Sequence, residues 1–305
     1  MSRTREALNL VLDRLDAQRR RNRPDDAELM GRAGRRELTA DDRAQRPFER
    51  DQVLAAFGRE AQIEGRSYPY VVLPGRGSTL CIHYSAFFGE WGERRQHRAQ
   101  FQGWFHRLRM FWPFADHNFL FLCDTFGADC NGTYYKGERG DFFVERAMDA
   151  IQAQVAAELD VSPDRTVALG SSMGATAALR FALRHSYAGA VAVSPHIDLD
   201  TSALRQGRLR HVAAIVGRED VDAPELRPVM REVALLAAET IPLPRLVVQS
   251  MCDDDGVHDE QVVPLVATWE AHGGSVLTDF HATGGHTSEY ADEGFFRRAV
   301  SWCLG

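Results

Sequence analysis

The chain has 305 residues, enough for one large α/β domain or two small ones and for a substantial core. Hydrophobic residues make up 44% and charged residues 26%, the composition of an ordinary soluble globular protein. The formal net charge of -7 excludes the basic footprint of a nucleic-acid binder or of a protein drawn to anionic membranes, and no apolar stretch approaches the ~20 residues of a membrane span.

Composition shifts near residue 67. Residues 1–66 are polar and rich in Arg, Asp and Glu, and read as a helical extension or linker ahead of a main domain at 67–305. Leu8, Val11, Leu12 and Leu15 mark one apolar helical face, and residues 53–57 suggest a second short helix. The arginines between them are nearly balanced by acids, which fits a solvated linker better than a nucleic-acid arm. The start, Met1-Ser-Arg-Thr-Arg-Glu, lacks the apolar core of a secretory signal. The five cysteines (Cys81, Cys123, Cys130, Cys252, Cys303) form no Cys-x-x-Cys pair, so free thiols in a reducing cytoplasm are expected.

From residue 68 onward apolar runs alternate with helical patterns. Strands are predicted at 68–73, 79–84, 119–123, 167–170, 188–193, 246–251 and 275–280. Helices are predicted at 96–110, 142–159, 173–185, 227–238, 262–272 and 292–304. Pro74-Gly-Arg-Gly77 reads as a hairpin-like link between the first two strands. Residues 199–242 are longer than a simple crossover and read as a partly helical cap insertion. Strands that are apolar throughout and alternate with helices predict an α/β fold, a mostly parallel central sheet with helices on both faces.

Thr166-Val-Ala-Leu-Gly170-Ser171-Ser172-Met173-Gly174 carries the clearest chemistry. It reads as a buried strand, a Gly-x-Ser-x-Gly turn and the start of an Ala/Leu-rich helix. So sharp a turn needs small residues at 170 and 174, and it exposes the Ser172 hydroxyl at a helix N-terminus. The backbone N–H of Met173 is then placed to receive developing negative charge.

Residues from about 68 to 305 resemble the α/β-hydrolase fold family. The likeness rests on chain order: Ser172 in its elbow, then Leu246-Val-Val-Gln-Ser-Met-Cys252-Asp253-Asp254-Asp255-Gly256-Val257, then Thr283-Gly-Gly-His286. The resemblance implies Ser172 as nucleophile, His286 as base and Asp254 as the acid that orients it. Asp253, Asp255 and Asp198 remain open for the acid, and His281 is a rival base. The family's second oxyanion donor falls on Ser85 or Ala86, although Tyr84 stands where the family has a glycine after His83. Aromatic residues near the expected ligand-binding end of the sheet (Tyr84, Phe87, Phe88, Trp91, Trp104, Trp112), the loop carrying Tyr134 and Tyr135, and His196 after a later strand are expected to wall a pocket. The elbow and the Tyr-rich loop also resemble serine hydrolase-like proteins found with bacterial glycan and capsule biosynthesis.

These features predict a serine-dependent acyl-ester or thioester hydrolase working through an acyl-enzyme on Ser172. The alternatives are an acyltransferase with the same residues, moving the acyl group to a sugar or other alcohol, and a non-catalytic scaffold of the same fold. The expected partner is a small-molecule acyl ester or thioester, with no nucleic acid and no membrane, and the oligomeric state stays open. No cofactor and no metal are expected: the histidines lack ligand spacing, and residues 253–255 lack the rest of a calcium loop.

Overall fold

The apolar runs become the strands of one sheet. The computed structural model describes residues 39–87, 103–200, 207–218, 224–239 and 241–305. Its strands are β1 (Gly58–Ile63), β2 (Arg66–Leu73), β3 (Leu80–Tyr84), β4 (Asn118–Leu122), β5 (Thr166–Ser171), β6 (Gly189–Val193), β7 (Arg245–Met251) and β8 (Val276–His281). They lie in the order β1-β2-β4-β3-β5-β6-β7-β8. β2 is antiparallel to both its neighbours, and every pairing from β4 to β8 is parallel. β3 to β6 are buried along their whole length, which is why they read as unbroken apolar runs.

The hairpin expected at 74–77 is corrected. β4 lies between β2 and β3, so the two strands never pair. The link is instead stitched to the segment entering β4: Arg76 N–H donates to Ala115 O (2.8 Å), Gly77 N–H to Asp116 O (3.1 Å) and Gly75 N–H to Asn118 Oδ1 (2.7 Å). The true hairpin is β1–β2, turned at Glu64 and Gly65, both at positive φ. β1 is a largely exposed edge strand with a polar sequence, so the sheet begins ahead of the composition change at residue 67.

The helices are α1 (Ala40–Gln45), α2 (Arg50–Phe57), α3 (Leu108–Phe111), α4 (Phe143–Glu158), α5 (Met173–His185), α6 (Leu209–Val216), α7 (Pro228–Ala238), α8 (Val263–Ala271) and α9 (Glu293–Leu304). The helical face at Leu8–Leu15 lies outside the described residues, as does 96–102 of the helix expected at 96–110. From residue 103 that segment is irregular until the single turn of α3. α5 is buried on nearly every side, since its alanines let it lie close on β3, β5 and β6 while α7 covers its outer face. Within 199–242, Leu226, Val229, Val233 and Leu236 join the core, and α6 is tied to the 137–140 loop by Arg139 N–H to Ala214 O (2.9 Å). Among the described residues no helix is long and apolar enough to cross a membrane.

Arg43 of α1 fixes the β2–β4 corner of the sheet. Its guanidinium is buried and donates to carbonyls only: Trp112 O, Phe111 O and Phe114 O (3.2 Å each), His117 O (3.5 Å) and Pro74 O. Burial pulls its pKa down to about 10, so it stays charged at neutral pH. Arg43→Met would strand these carbonyls away from water. Chemical denaturation should show a loss on the order of 3 kcal/mol, with Arg43→Lys intermediate.

Candidate active site

β5 ends in the Gly-x-Ser-x-Gly turn and α5 begins immediately after it. Ser172 sits at φ 51°, ψ -122°, a conformation that non-glycine residues seldom adopt and that costs ~1–3 kcal/mol. Three backbone–backbone hydrogen bonds hold it: Ser172 N–H to Val193 O (2.8 Å), and Ala175 N–H (2.9 Å) and Thr176 N–H (3.1 Å) to Ser172 O. A Cβ at Gly170 would overlap the carbonyl of Gly174, and a Cβ at Gly174 would overlap the carbonyl of Tyr84. The two glycines are therefore required by close backbone approach.

The loops after β7 and β8 bring two further residues to this turn. His286 Nε2 lies 2.9 Å from Ser172 Oγ, and His286 Nδ1 lies 2.8 Å from Asp254 Oδ2. Asp254 is buried, whereas Asp253 and Asp255 are exposed. Asp253 has a different task. Its carboxylate accepts Gly285 N–H (2.7 Å) and Gly284 N–H (3.1 Å), which holds its pKa below the usual range and pins the turn carrying His286. Asp198 has its backbone N–H on Gln261 Oε1, and His281 is 3.3 Å from Asp279 and stacks on Tyr290. Neither is paired with the Ser172–His286 contact.

Around Ser172 lies a cavity of about 210 Å³ lined by Ala86, Phe87, Trp104, His106, Ser171, Val193, Ser194, His286, Thr287 and Ser288. Of the residues expected to wall a pocket, Phe87 and Trp104 line it. Tyr84, Tyr134, Tyr135 and His196 are corrected to core positions. Tyr84 stacks on Phe181 and its hydroxyl donates to Gln152 (2.5 Å). Tyr135 donates to Ser85 O (3.0 Å) and Leu122 O (3.1 Å), and the Tyr134 hydroxyl accepts from Arg208 (3.2 Å). The reason is Asp124, whose buried carboxylate gathers Thr133 N–H (2.5 Å), Thr133 Oγ1–H (2.8 Å) and Tyr135 N–H (2.8 Å) and so turns the loop inward. His196 is fully buried and stacks on His286 at 4.8 Å; burial first, then His286 and Arg208, keep its pKa well below normal. Trp112 is also core, and Phe88 and Trp91 lie outside the described residues.

The expected oxyanion donors fare differently. Ser85 N–H is taken by Leu122 O at 3.1 Å as an extension of the sheet, which removes it as a donor. Ala86 N–H donates to His106 Nδ1 at 3.2 Å. No protein acceptor takes the N–H of Met173 among the described residues, and it begins α5, where the helix end favours negative charge. His83 is buried under this wall against His106, Phe111 and Phe121. In the sequence, the helix predicted at 96–110 conceals His106 and Arg107. The signal was Gly103, a poor helix residue that here sits at φ 73°.

Among the described residues no group of three or more His, Cys, Asp or Glu side chains could hold a metal ion. The arrangement can move a proton from Ser172 to His286 beside a carboxylate, with a free backbone donor at the helix end.

The sequence matches no protein-family model and no curated protein. Solved structures do resemble it. One is a fluorophosphonate-binding serine hydrolase of Staphylococcus aureus (14% identity, TM-score 0.61, covering 81% of this chain and 97% of that one). Another is the capsule O-acetyltransferase of Neisseria meningitidis serogroup A (16%, TM-score 0.57, 81% and 99%). A third is the glycosylation-associated Gap123 complex of Streptococcus agalactiae (17%, TM-score 0.59, 81% and 47%), so this chain spans about half of that one. With its strand order, this likeness shows that the chain has the α/β-hydrolase fold. Gly174→Ala should cost on the order of 3 kcal/mol in a denaturation midpoint, because the clash is with backbone and no side chain can yield.

Proposed function

We propose that this protein is a serine-dependent acyl hydrolase that cleaves small acyl esters or thioesters through an acyl-enzyme on Ser172. One observation carries the reading: the unbroken chain from Ser172 Oγ to His286 Nε2 (2.9 Å) and from His286 Nδ1 to the buried Asp254 carboxylate (2.8 Å). Asp254 accepts a hydrogen bond from Nδ1–H and so leaves Nε2 with the lone pair that Ser172 needs. His286 takes the Ser172 proton as Oγ attacks the acyl carbon, and Met173 N–H receives the oxyanion. Collapse expels the alcohol or thiol with that proton. Water, activated by the same histidine, then releases the acid.

Transfer of the acyl group to an alcohol is the second reading. The hydroxyls of Ser194, Thr287 and Ser288 on the cavity wall suit a hydroxylic acceptor, and a capsule O-acetyltransferase shares the fold. The two readings differ only in the second step, so product analysis with and without alcohol acceptors separates them. A cavity near 210 Å³ favours a short acyl group under either reading.

A fluorophosphonate probe should add once to the wild-type protein and not at all to Ser172→Ala, as read by intact mass. An unlabelled, folded wild type that also leaves small acyl esters intact would instead mark a non-catalytic scaffold. Asp254→Asn should lower kcat by about 10³–10⁴-fold with its fold intact, because the amide presents the wrong hydrogen-bonding partner to Nδ1. A near-normal rate would remove Asp254 from this role.

A further inference from the structure

Where Arg107 meets His106 and Ser171 beside Ser172, the described residues supply more hydrogen-bond donors than acceptors. His106 Nδ1 accepts Ala86 N–H at 3.2 Å, so in the neutral ring the proton is on Nε2. The ring is neutral because burial, and then the charge of Arg107, push its pKa down to about 3. Yet Nε2 faces a second donor, Arg107 Nη1, at 3.5 Å. One ring with one lone pair cannot serve two donors, and the shorter contact takes it. His106 Nε2–H and Arg107 Nη1–H therefore confront each other at 3.5 Å, donor against donor.

Arg107 is itself under-partnered. Among the described residues it pairs with no carboxylate: its partners are the Ser171 hydroxyl at 2.5 Å, the edge of His106, and the face of Phe296 at 4.9 Å. It stays charged at neutral pH, with a pKa that burial lowers to about 10. Its backbone is held at φ 64°, strain that the surrounding structure sustains. Because a guanidinium only donates, Ser171 Oγ is the acceptor in their bond, and its own O–H is left to donate elsewhere. Ser171 and His106 both line the cavity around Ser172. Beside the nucleophile these three groups carry net positive charge, and among the described residues their donors find one acceptor, Ser171 Oγ, the pattern that a bound oxyanion completes.

We propose that His106 Nε2–H, the Arg107 guanidinium and Ser171 Oγ–H form a subsite for an oxyanionic group, a carboxylate or phosphate, carried by the substrate. This deepens the acyl-hydrolase reading and rests on it for the word substrate. The subsite selects acyl compounds with an anionic group close to the scissile bond over neutral ones of the same size.

Two pairs of esters test it, one placing the charge on the acyl group and one on the leaving group. The first is para-nitrophenyl hemisuccinate against para-nitrophenyl butyrate; the second is para-acetoxybenzoate against its methyl ester. In at least one pair the charged ester should have the higher kcat/KM, by roughly tenfold, and Arg107→Met should erase that preference. Arg107→Lys, which keeps the charge and guards against a variant that fails to fold, should keep part of it. No preference in either pair, or one that survives Arg107→Met, overturns the subsite while leaving the hydrolase reading intact. If no ester is turned over, that reading fails and calorimetry of inorganic phosphate with folded Ser172→Ala protein decides the subsite alone. Binding that weakens about tenfold on adding Arg107→Met supports it, and absent or unchanged binding overturns it.

Discussion

The close approach of three backbone segments at Ser172 is the constraint on which the rest of the structure depends. β5 must reverse into α5 within a single residue, and that residue is held at positive φ. The turn closes only because Gly170 meets Gly174 and Gly174 meets the carbonyl of Tyr84 with no side chain between them. This contact draws α5 onto β3 as well as β5, and the helix answers with alanines along the surfaces it buries. The strain at Ser172 is offset by ordinary hydrogen bonds to Val193, Ala175 and Thr176.

Parallel pairing then aligns what the loops carry. The registers of β5, β6, β7 and β8 bring their C-terminal ends into one row, with Ser171 beside Val193 and Met251 beside His281. Ser172 and Ser194 follow those ends directly, and the paired aspartates and His286 lie on the short loops after β7 and β8. The adjacent carboxylates divide the work by burial. Asp254 turns inward to the imidazole, while Asp253 stays in solvent and holds the backbone of Gly284 and Gly285. The neutral ring of His196 packs on the other aspect of His286 and adds no charge beside it.

Two buried arginines show how one chemical group takes different meanings from its surroundings. Among the described residues neither Arg43 nor Arg107 pairs with a carboxylate, and burial lowers the pKa of both. Arg43 is saturated by main-chain carbonyls from the 111–117 segment and from Pro74, so its charge is spent on holding the fold. Among the described residues Arg107 has a single hydroxyl, a ring edge and an aromatic face, and its bond to Ser171 ties it to a residue that lines the cavity. The first arrangement is complete in itself; the second leaves donor capacity unused.

Local pattern by itself determined much of this protein. The apolar runs gave β4 to β7 to within a residue or so, because strands buried on both faces need apolar side chains at nearly every position. The Gly-x-Ser-x-Gly turn was legible because its geometry admits so few side chains at 170 and 174, and the order Ser172, acid, His286 stands in the chain itself. Tertiary structure alone decided the rest. The 74–77 link looked like a hairpin until β4 came between its strands, and polar β1 gave no sign of joining the sheet. Tyr84, Tyr134 and Tyr135 looked like pocket walls until Asp124 and the core drew them inward. Which aspartate meets His286, what takes the N–H of Ser85 and of Ala86, and which arginine has the fewer acceptors are questions about partners 20 to 74 residues away in sequence. Neighbouring residues in sequence fix conformation; hydrogen-bond satisfaction is settled only by the groups that folding brings from a distance.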